Sequence, residues 1–129
     1  MALGGLLLDT HTLLWWATND KALSRRMKRL IQESSGPIYV SAASGWEIAT
    51  KVRLGKLAWN SPDSVEAYST GQGFALLPVS FAHAERAGAW PHPHGDPFDR
   101  MLAAQSAIER LTLATNDPRI ASFGVSTVW

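Results

Sequence analysis

The sequence predicts an α/β fold in which a central, mainly parallel and twisted sheet is covered by helices on both faces. Short apolar runs that are typical of buried strands alternate with longer segments of helical spacing, and this alternation indicates parallel strands joined by crossover helices. With 129 residues, of which 46% are hydrophobic and 18% charged, the chain has the length and composition of a globular protein. We therefore expect one domain over residues 1–129, arranged as three α/β/α layers.

Each element follows from its own pattern and from the residues that bound it. The first strand is the clearest, because three leucines lie between Gly5 and Asp9. Pro37 opens the second strand, and Ser41 or Ser44 can cap the helix after it, which we expect to stop at Gly55. The predicted strands are residues 5–9, 37–40, 74–79, 111–115 and 125–128. The predicted helices pass through 13–17, 24–33, 46–55, 65–69 and 81–87, and two more begin near 96 and 116.

The helix that begins near residue 96 has the strongest signal. Residues 90–95 contain two prolines and predict a loop, and Asp96 followed by Pro97 is a favoured helix start. Apolar residues at helical spacing then predict a buried stripe. The stripe consists of Phe98, Met101, Leu102 and Ile108.

Charge and cysteine content exclude several classes of protein. Residues 1–56 hold eight of the twelve Lys and Arg residues against four acids, whereas residues 57–129 hold four against seven acids. This split favours an anionic partner on one side and cations on the other. The absence of cysteine excludes disulfides and thiolate zinc sites, and no apolar run near the start is long enough for a signal peptide or membrane span. We expect a cytoplasmic protein.

Five acidic residues are placed where a parallel sheet would bring them together. Asp9 ends the first strand, Asp117 follows the strand at 111–115, Asp96 and Asp99 open the neighbouring helix, and Glu47 lies in the helix after the second strand. Ligands of such sheets bind beyond the carboxyl ends of the strands. Converging carboxylates repel one another unless a cation neutralises them, and oxygen ligands favour Mg²⁺ or Mn²⁺.

Each acid also has a purely structural interpretation. Asp9, Asp96 and Asp117 precede helices as N-caps, and Asp99 stands where a capping box places an acid. Glu47 is spaced to pair with Lys51 one turn later, on an exposed face of the same helix. Because three such caps fall at one edge of the predicted sheet, with Glu47 on a neighbouring helix, we favour a site over coincidence.

Three segments carry a resemblance to a known family. LLLDTHTLLWW, SAASGWEIATKVRLGKL and HGDPFDRMLAAQSAIERLTLATNDPRI resemble the PIN domain, in particular toxins of VapC type, and the block GDPFDRMLAAQS is the most specific. The resemblance runs from about Leu6 to the end of the chain. This sequence departs from the family in Gly4-Gly5 and in the histidine-rich loop before Asp96, neither of which we expect to touch the acidic residues.

The resemblance implies a PIN-like fold and a metal-dependent endoribonuclease that is the toxin of a type II toxin–antitoxin pair. It implies a catalytic and metal-binding quartet, with Asp96 as an accessory ligand, and neighbours that orient waters or carboxylates. It also implies Mg²⁺, with Mn²⁺ as an alternative, a small antitoxin that inserts a peptide into the acidic groove, and a homodimer. The quartet is Asp9, Glu47, Asp99 and Asp117, and the supporting residues are Thr10, Ser44, Thr115 and Asn116.

The chemistry of such a site follows from its oxygen ligands. A carboxylate-bound Mg²⁺ retains waters, and one of them, made more acidic, attacks phosphorus in line. The products are expected to carry 5′-phosphate and 3′-hydroxyl ends, because the 2′-hydroxyl is not the nucleophile. One or two metal ions fit this scheme.

Basic residues near the second predicted helix are the candidates for binding phosphates or an acidic antitoxin segment. The alternative is a solvated helix face. The cluster consists of Lys21, Arg25, Arg26, Lys28 and Arg29.

Other functions have weaker support. His92 and His94 flank a proline without a third zinc ligand nearby, and the chain lacks the G-x-S-x-G elbow and the dinucleotide glycine fingerprint. The alternative that stays open is a nucleic-acid-binding or protein-binding module that keeps the fold but does not cleave.

Overall fold

The computed structural model describes residues 5–129, and its centre is a sheet of five parallel strands. The strands are β1 (Leu6–Leu8), β2 (Ile38–Ser41), β3 (Ala75–Leu77), β4 (Thr112–Ala114) and β5 (Thr127–Val128). Their order across the sheet is β3-β2-β1-β4-β5, and all four neighbouring pairs are parallel. The prediction of a mainly parallel sheet is therefore confirmed.

Helices connect successive strands, as the alternating pattern predicts. Within residues 5–129 they are α1 (Thr10–Thr18), α2 (Arg25–Glu33), α3 (Ala42–Arg53), α4 (Val65–Gly71), α5 (Phe81–Ala89), α6 (Pro97–Glu109) and α7 (Pro118–Ala121). Each begins after a Ser or Asp N-cap whose side chain accepts a backbone N–H of the first turn. The cap of α3 is Ser41 rather than Ser44.

Some element boundaries differ from the predicted ones. β3 ends at Leu77 instead of continuing to residue 79, because Pro78 has no N–H to offer the ladder. β5 holds only two of the four predicted residues. α3 ends at Arg53, and Gly55 follows with φ +72°, a left-handed conformation that glycine adopts without strain.

The two faces of the sheet bury alternate residues of each strand. Leu6 and Leu8 of β1 lie in a core with side chains from α1, α2 and α3. Leu7 lies in a second core on the opposite face, with side chains from α6 and α7. This alternation with period two confirms the three-layer α/β/α arrangement.

The predicted apolar stripe of α6 is only partly correct. Leu102 is buried, but Phe98 and Met101 are half-buried and Ile108 is 37% exposed. The buried face instead continues through small and polar residues, because α6 packs closely against α5 as well as the sheet. Its other buried residues are Ala103, Ala104, Gln105 and Ser106.

No helix within residues 5–129 is both long and apolar enough to span a bilayer.

Candidate active site

A small cleft at the carboxyl ends of β1 and β4 gathers the acidic residues, and we call it the acidic cleft. It takes Asp9 from the end of β1, Glu47 from α3, Asp96 and Asp99 from the start of α6, and Asp117 from the start of α7. Its volume is about 60 Å³, which suits an ion with a few waters rather than a nucleotide. Its lining residues are Asp9, Thr10, His11, Glu47, Lys51, Asp96, Asp99, Asp117, Arg119 and Ile120.

Asp9 lies at the bottom of the cleft and is held firmly. Its Oδ1 accepts the backbone N–H of Thr12 at 2.7 Å and the Thr12 hydroxyl at 2.6 Å. The same hydroxyl lies 2.8 Å from the carbonyl of Ala114, which ties this end of α1 to β4. Only 4% of Asp9 is exposed, and this burial raises the pKa of its carboxyl, although hydrogen bonds from Thr115 and Thr12 oppose the rise.

Glu47 enters the cleft from α3 and is equally buried. It is 4% exposed, and Lys51 Nζ, one helical turn later, lies 2.5 Å from its Oε2. This hydrogen bond to Glu47 is the main reason that the pKa of Lys51 is raised, so Lys51 carries its charge inside the cleft. The predicted pair of Glu47 with Lys51 is therefore formed, but its placement on an exposed face is wrong, because this side of α3 faces the cleft.

Asp96 and Asp99 occupy the first turn of α6. The backbone N–H of Asp99 donates to Asp96 Oδ1 at 2.9 Å, which is the N-cap bond of the helix. Burial is the main cause that raises the pKa of Asp99, and the charges of Asp96 and Glu47 add to the rise while His94 opposes it. The negative charges of Asp96 and Glu47 thus act on the carboxyl of Asp99 across the cleft.

The histidine-rich loop contacts the acidic residues, so our expectation that it would not touch them is wrong. His94 Nε2 lies 2.8 Å from Asp99 Oδ2. Arg100 holds the loop in place, because its guanidinium donates to the carbonyls of Ala87, Trp90, His92 and His94. The physical reason for the contact is that Arg100 of α6 binds carbonyls of the proline-containing loop and so holds this loop over the N-terminus of α6.

Asp117 forms the outer wall of the cleft. Its Oδ1 caps α7 by accepting the backbone N–H of Arg119 at 2.9 Å. The guanidinium of Arg119 also donates through Nε to Oδ1 at 3.2 Å and through Nη2 to Oδ2 at 3.0 Å. The hydrogen bond from this side chain is the main cause that lowers the pKa of Asp117.

An aspartate can cap a helix and also line the cleft, because each cap uses only one of the two carboxylate oxygens. The helix N–H groups donate to Oδ1 of Asp9, Asp96 and Asp117, which leaves Oδ2 of each carboxylate out of the cap. Within residues 5–129, however, no three acidic or histidine side chains converge closely enough to enclose a metal ion. Three carboxylates are engaged by Lys51, His94 and Arg119 instead.

The four predicted supporting residues have different surroundings. The Thr10 hydroxyl donates to Ser44 Oγ at 3.0 Å, and this buried bond joins α1 to α3 beside the cleft. Thr115 Oγ1 accepts the backbone N–H of Asp117 at 3.1 Å. Asn116 is exposed and does not line the cleft.

The basic residues of α2 are not part of the cleft. Arg25, Arg26 and Arg29 are exposed and Lys28 is half-buried. The cations that do line the cleft are Lys51 and Arg119, which the sequence analysis did not propose as functional residues. Sequence spacing could have identified both, since Lys51 follows Glu47 by four residues and Arg119 follows Asp117 by two.

Sequence comparison connects the chain to known proteins over most of its length. The family model for the PIN domain matches residues 6–125. Ribonuclease VapC22 of Mycobacterium tuberculosis is 26% identical over 118 residues, which cover 91% of this chain and 90% of that protein.

Solved structures share the fold at lower identity. A toxin–antitoxin complex from Klebsiella pneumoniae contains a chain with a TM-score of 0.66 and 17% identity, and the match covers 96% of both chains. VapBC2 from Rickettsia felis, bound to a DNA fragment from its promoter, matches with a TM-score of 0.64 and 14% identity, covering 96% of this chain and 97% of that one. These likenesses show a common architecture.

Proposed function

The chain belongs to the PIN-domain family, and from this premise we propose that it is an endoribonuclease, the toxin of a type II toxin–antitoxin pair. The observation that carries the proposal is the acidic cleft, where four separate elements bring five carboxylates to one edge of the sheet. The name of the M. tuberculosis relative, a ribonuclease, supports the activity. The toxin–antitoxin complexes among the structural relatives support the biological role.

The composition of the cleft supports a divalent ion as the cofactor. Five carboxylates face only two permanently charged cations, Lys51 and Arg119, so the cleft has an excess of negative charge. Asp9 and Glu47 are each 4% exposed, and a buried carboxylate is costly unless a positive charge compensates it. An all-oxygen donor set selects Mg²⁺ or Mn²⁺ over zinc. Asp9, Glu47, Asp99 and Asp117 would hold the ion, with Asp96 as an accessory ligand.

A bound ion would supply positive charge and would lower the pKa of a water, so that this water could lose a proton and act as the nucleophile on phosphorus. The protein residues supply position. Thr12 fixes Asp9, while Thr115 holds the backbone N–H at the start of the Asp117 turn. The hydrogen bond between Thr10 and Ser44 joins α1 to α3 beside the cleft and so fixes the relative position of these two helices. Their role is to keep the carboxylates in place before substrate arrives.

Partners and location follow from the proposed role. The cleft is acidic, so a small antitoxin that enters it would present a basic segment, and the toxin itself is proposed to be a homodimer. A cytoplasmic location is proposed as well, in keeping with RNA as the substrate.

The proposal is tested by cleavage of RNA by the purified protein. We expect cleavage with Mg²⁺ or Mn²⁺, none with excess chelator, and no rescue by Ca²⁺, which prefers looser and higher coordination. The products are expected to end in 5′-phosphate and 3′-hydroxyl groups.

Two results contradict the proposal. Undiminished cutting by verified metal-free protein in chelator would exclude the metal mechanism. RNA binding without cutting in any of these ions would favour the non-cleaving module.

A further inference from the structure

The acidic cleft contains two cations of its own, and both lie outside the carboxylates that they neutralise. The side chain of Lys51 is 33% exposed and that of its partner Glu47 is 5% exposed. The side chain of Arg119 is 68% exposed and that of Asp117 is 24% exposed. An RNA strand that approaches the cleft therefore meets the two cations before it meets these carboxylates.

Among the described residues, both cations bond only to carboxylates that would also bind the proposed metal ion. Among the described residues, the side-chain hydrogen bond of Lys51 goes to Glu47, and those of Arg119 go to Asp117. Within residues 5–129, neither side chain donates to a backbone carbonyl, in contrast to Arg100, whose guanidinium donates to four carbonyls. Lys51 and Arg119 are thus free to move once their carboxylates are neutralised by another charge.

On the basis of the nuclease function above, we propose that Lys51 and Arg119 exchange partners during the reaction. In the structure they neutralise Glu47 and Asp117. When a divalent ion takes over these carboxylates, the two cations contact the RNA phosphate that enters the cleft.

The chemistry of the two side chains fits this exchange. The Arg119 fork already bonds both oxygens of a carboxylate, and the same pair of donors matches two oxygens of a phosphodiester. Lys51 has a compact ammonium on a flexible stem, so it can follow a phosphate without a fixed geometry.

The first measurement is the affinity of RNA-free protein for Mn²⁺. The concentration of free Mn²⁺ is monitored by electron paramagnetic resonance. Lys51→Gln and Arg119→Gln remove a competitor of the ion, so each is expected to tighten Mn²⁺ binding by about threefold, the scale of a partly exposed ion pair. Arg53→Gln, which removes an exposed charge from the same helix as Lys51 but outside the cleft, is expected to leave the affinity unchanged.

The second measurement is the steady-state cleavage of a single-stranded RNA oligonucleotide at saturating Mn²⁺. Lys51→Gln and Arg119→Gln are expected to raise KM about tenfold and to make its salt dependence shallower, because each loses one phosphate contact. Lys51→Arg, which keeps the charge, is expected to retain a KM near that of the wild type. Urea unfolding of each variant verifies that it is folded.

Tighter Mn²⁺ binding together with a raised KM for RNA supports the exchange. Tighter Mn²⁺ binding with an unchanged KM overturns it, since the cations would then never reach RNA. Weaker Mn²⁺ binding together with weaker RNA binding also overturns it, because that is the result of a disturbed site. Values equal to those of Arg53→Gln overturn it as well. A wild-type protein that binds Mn²⁺ and cuts RNA separates these failures from failure of the nuclease proposal itself.

Discussion

The acidic cleft and the basic face of α2 both concentrate like charges, but they do so in opposite environments. In the cleft, Asp9 and Glu47 are 4% exposed, whereas Arg25, Arg26 and Arg29 on α2 extend into solvent. An exposed charge costs the fold almost nothing, while a buried carboxylate loses its hydration and must be compensated. The cleft therefore indicates a function that offsets its cost, and the α2 face is explained by solubility alone as readily as by binding.

The largest effect is expected from Asp9→Asn. Asparagine is as good an N-cap as aspartate, so α1 remains capped, but the buried negative charge is lost. We expect RNA cleavage to fall by about a thousandfold or more, since several kcal/mol of transition-state stabilisation by the bound ion are lost.

Asp20→Asn is the matched control for Asp9→Asn. Asp20 also accepts a backbone N–H, from Ala22 at 2.9 Å, but it is exposed and lies outside the cleft. Cleavage rates that fall equally in both variants would remove the distinction between the cleft and the exposed surface.

A second prediction concerns Arg100, which supports the cleft from outside. Arg100→Met leaves three carbonyls of the loop and the carbonyl of Ala87 in α5 without their donor and releases His94 from Asp99, so we expect the free energy of unfolding to fall by about 3 kcal/mol. Arg86→Met removes an exposed cation 4.4 Å from the Trp90 ring and is expected to cost about 0.5 kcal/mol. Urea unfolding measures both, and equal costs would show that the loop is not organised by Arg100.

A third prediction examines the α2 face. Replacement of Arg25 and Arg29 by glutamine is expected to weaken RNA binding about tenfold across sequences and to reduce the salt slope by about two. The measurement is RNA binding at several salt concentrations. An unaltered slope would assign these residues to solubility.

The sequence predicted the order of strands and helices because each rests on local signals, namely apolar runs and N-capping residues. It placed Asp9, Glu47, Asp96, Asp99 and Asp117 together because parallel strands end at one edge. It did not predict the contact of His94 with Asp99, which depends on a guanidinium of α6 binding a loop that precedes it. The exposure of Ile108 was also missed, because periodicity does not reveal that small residues of α6 face α5 and the sheet.

The smallest effect is a pH dependence in which two carboxylates of the acidic cleft, Asp99 and Asp117, behave oppositely. Burial raises the pKa of Asp99 above 3.8, so between that value and its folded-state pKa the folded protein binds more protons than the unfolded one. In metal-free protein, any stability advantage of Asp99→Asn is therefore full at neutral pH and shrinks as pH falls through the raised pKa. Asp117, whose pKa is lowered by Arg119, is expected to behave oppositely and to lose its contribution as pH falls. Urea unfolding as a function of pH measures both, and an advantage of Asp99→Asn that grows on acidification would contradict the assignment.

Urea unfolding of wild type and Asp99→Asn, each with and without Mg²⁺, tests whether the acidic cleft binds a divalent ion through its carboxylates. The quantity compared is the free energy of unfolding. Without metal, we expect Asp99→Asn to be more stable by about 1 kcal/mol, since it relieves repulsion and burial of charge. Wild type is expected to gain about 2.7 kcal/mol at a Mg²⁺ concentration a hundredfold above Kd, and the variant to gain little. If Asp99→Asn is instead destabilised equally with and without Mg²⁺, Asp99 acts only on the N-terminus of α6, and the claim is contradicted.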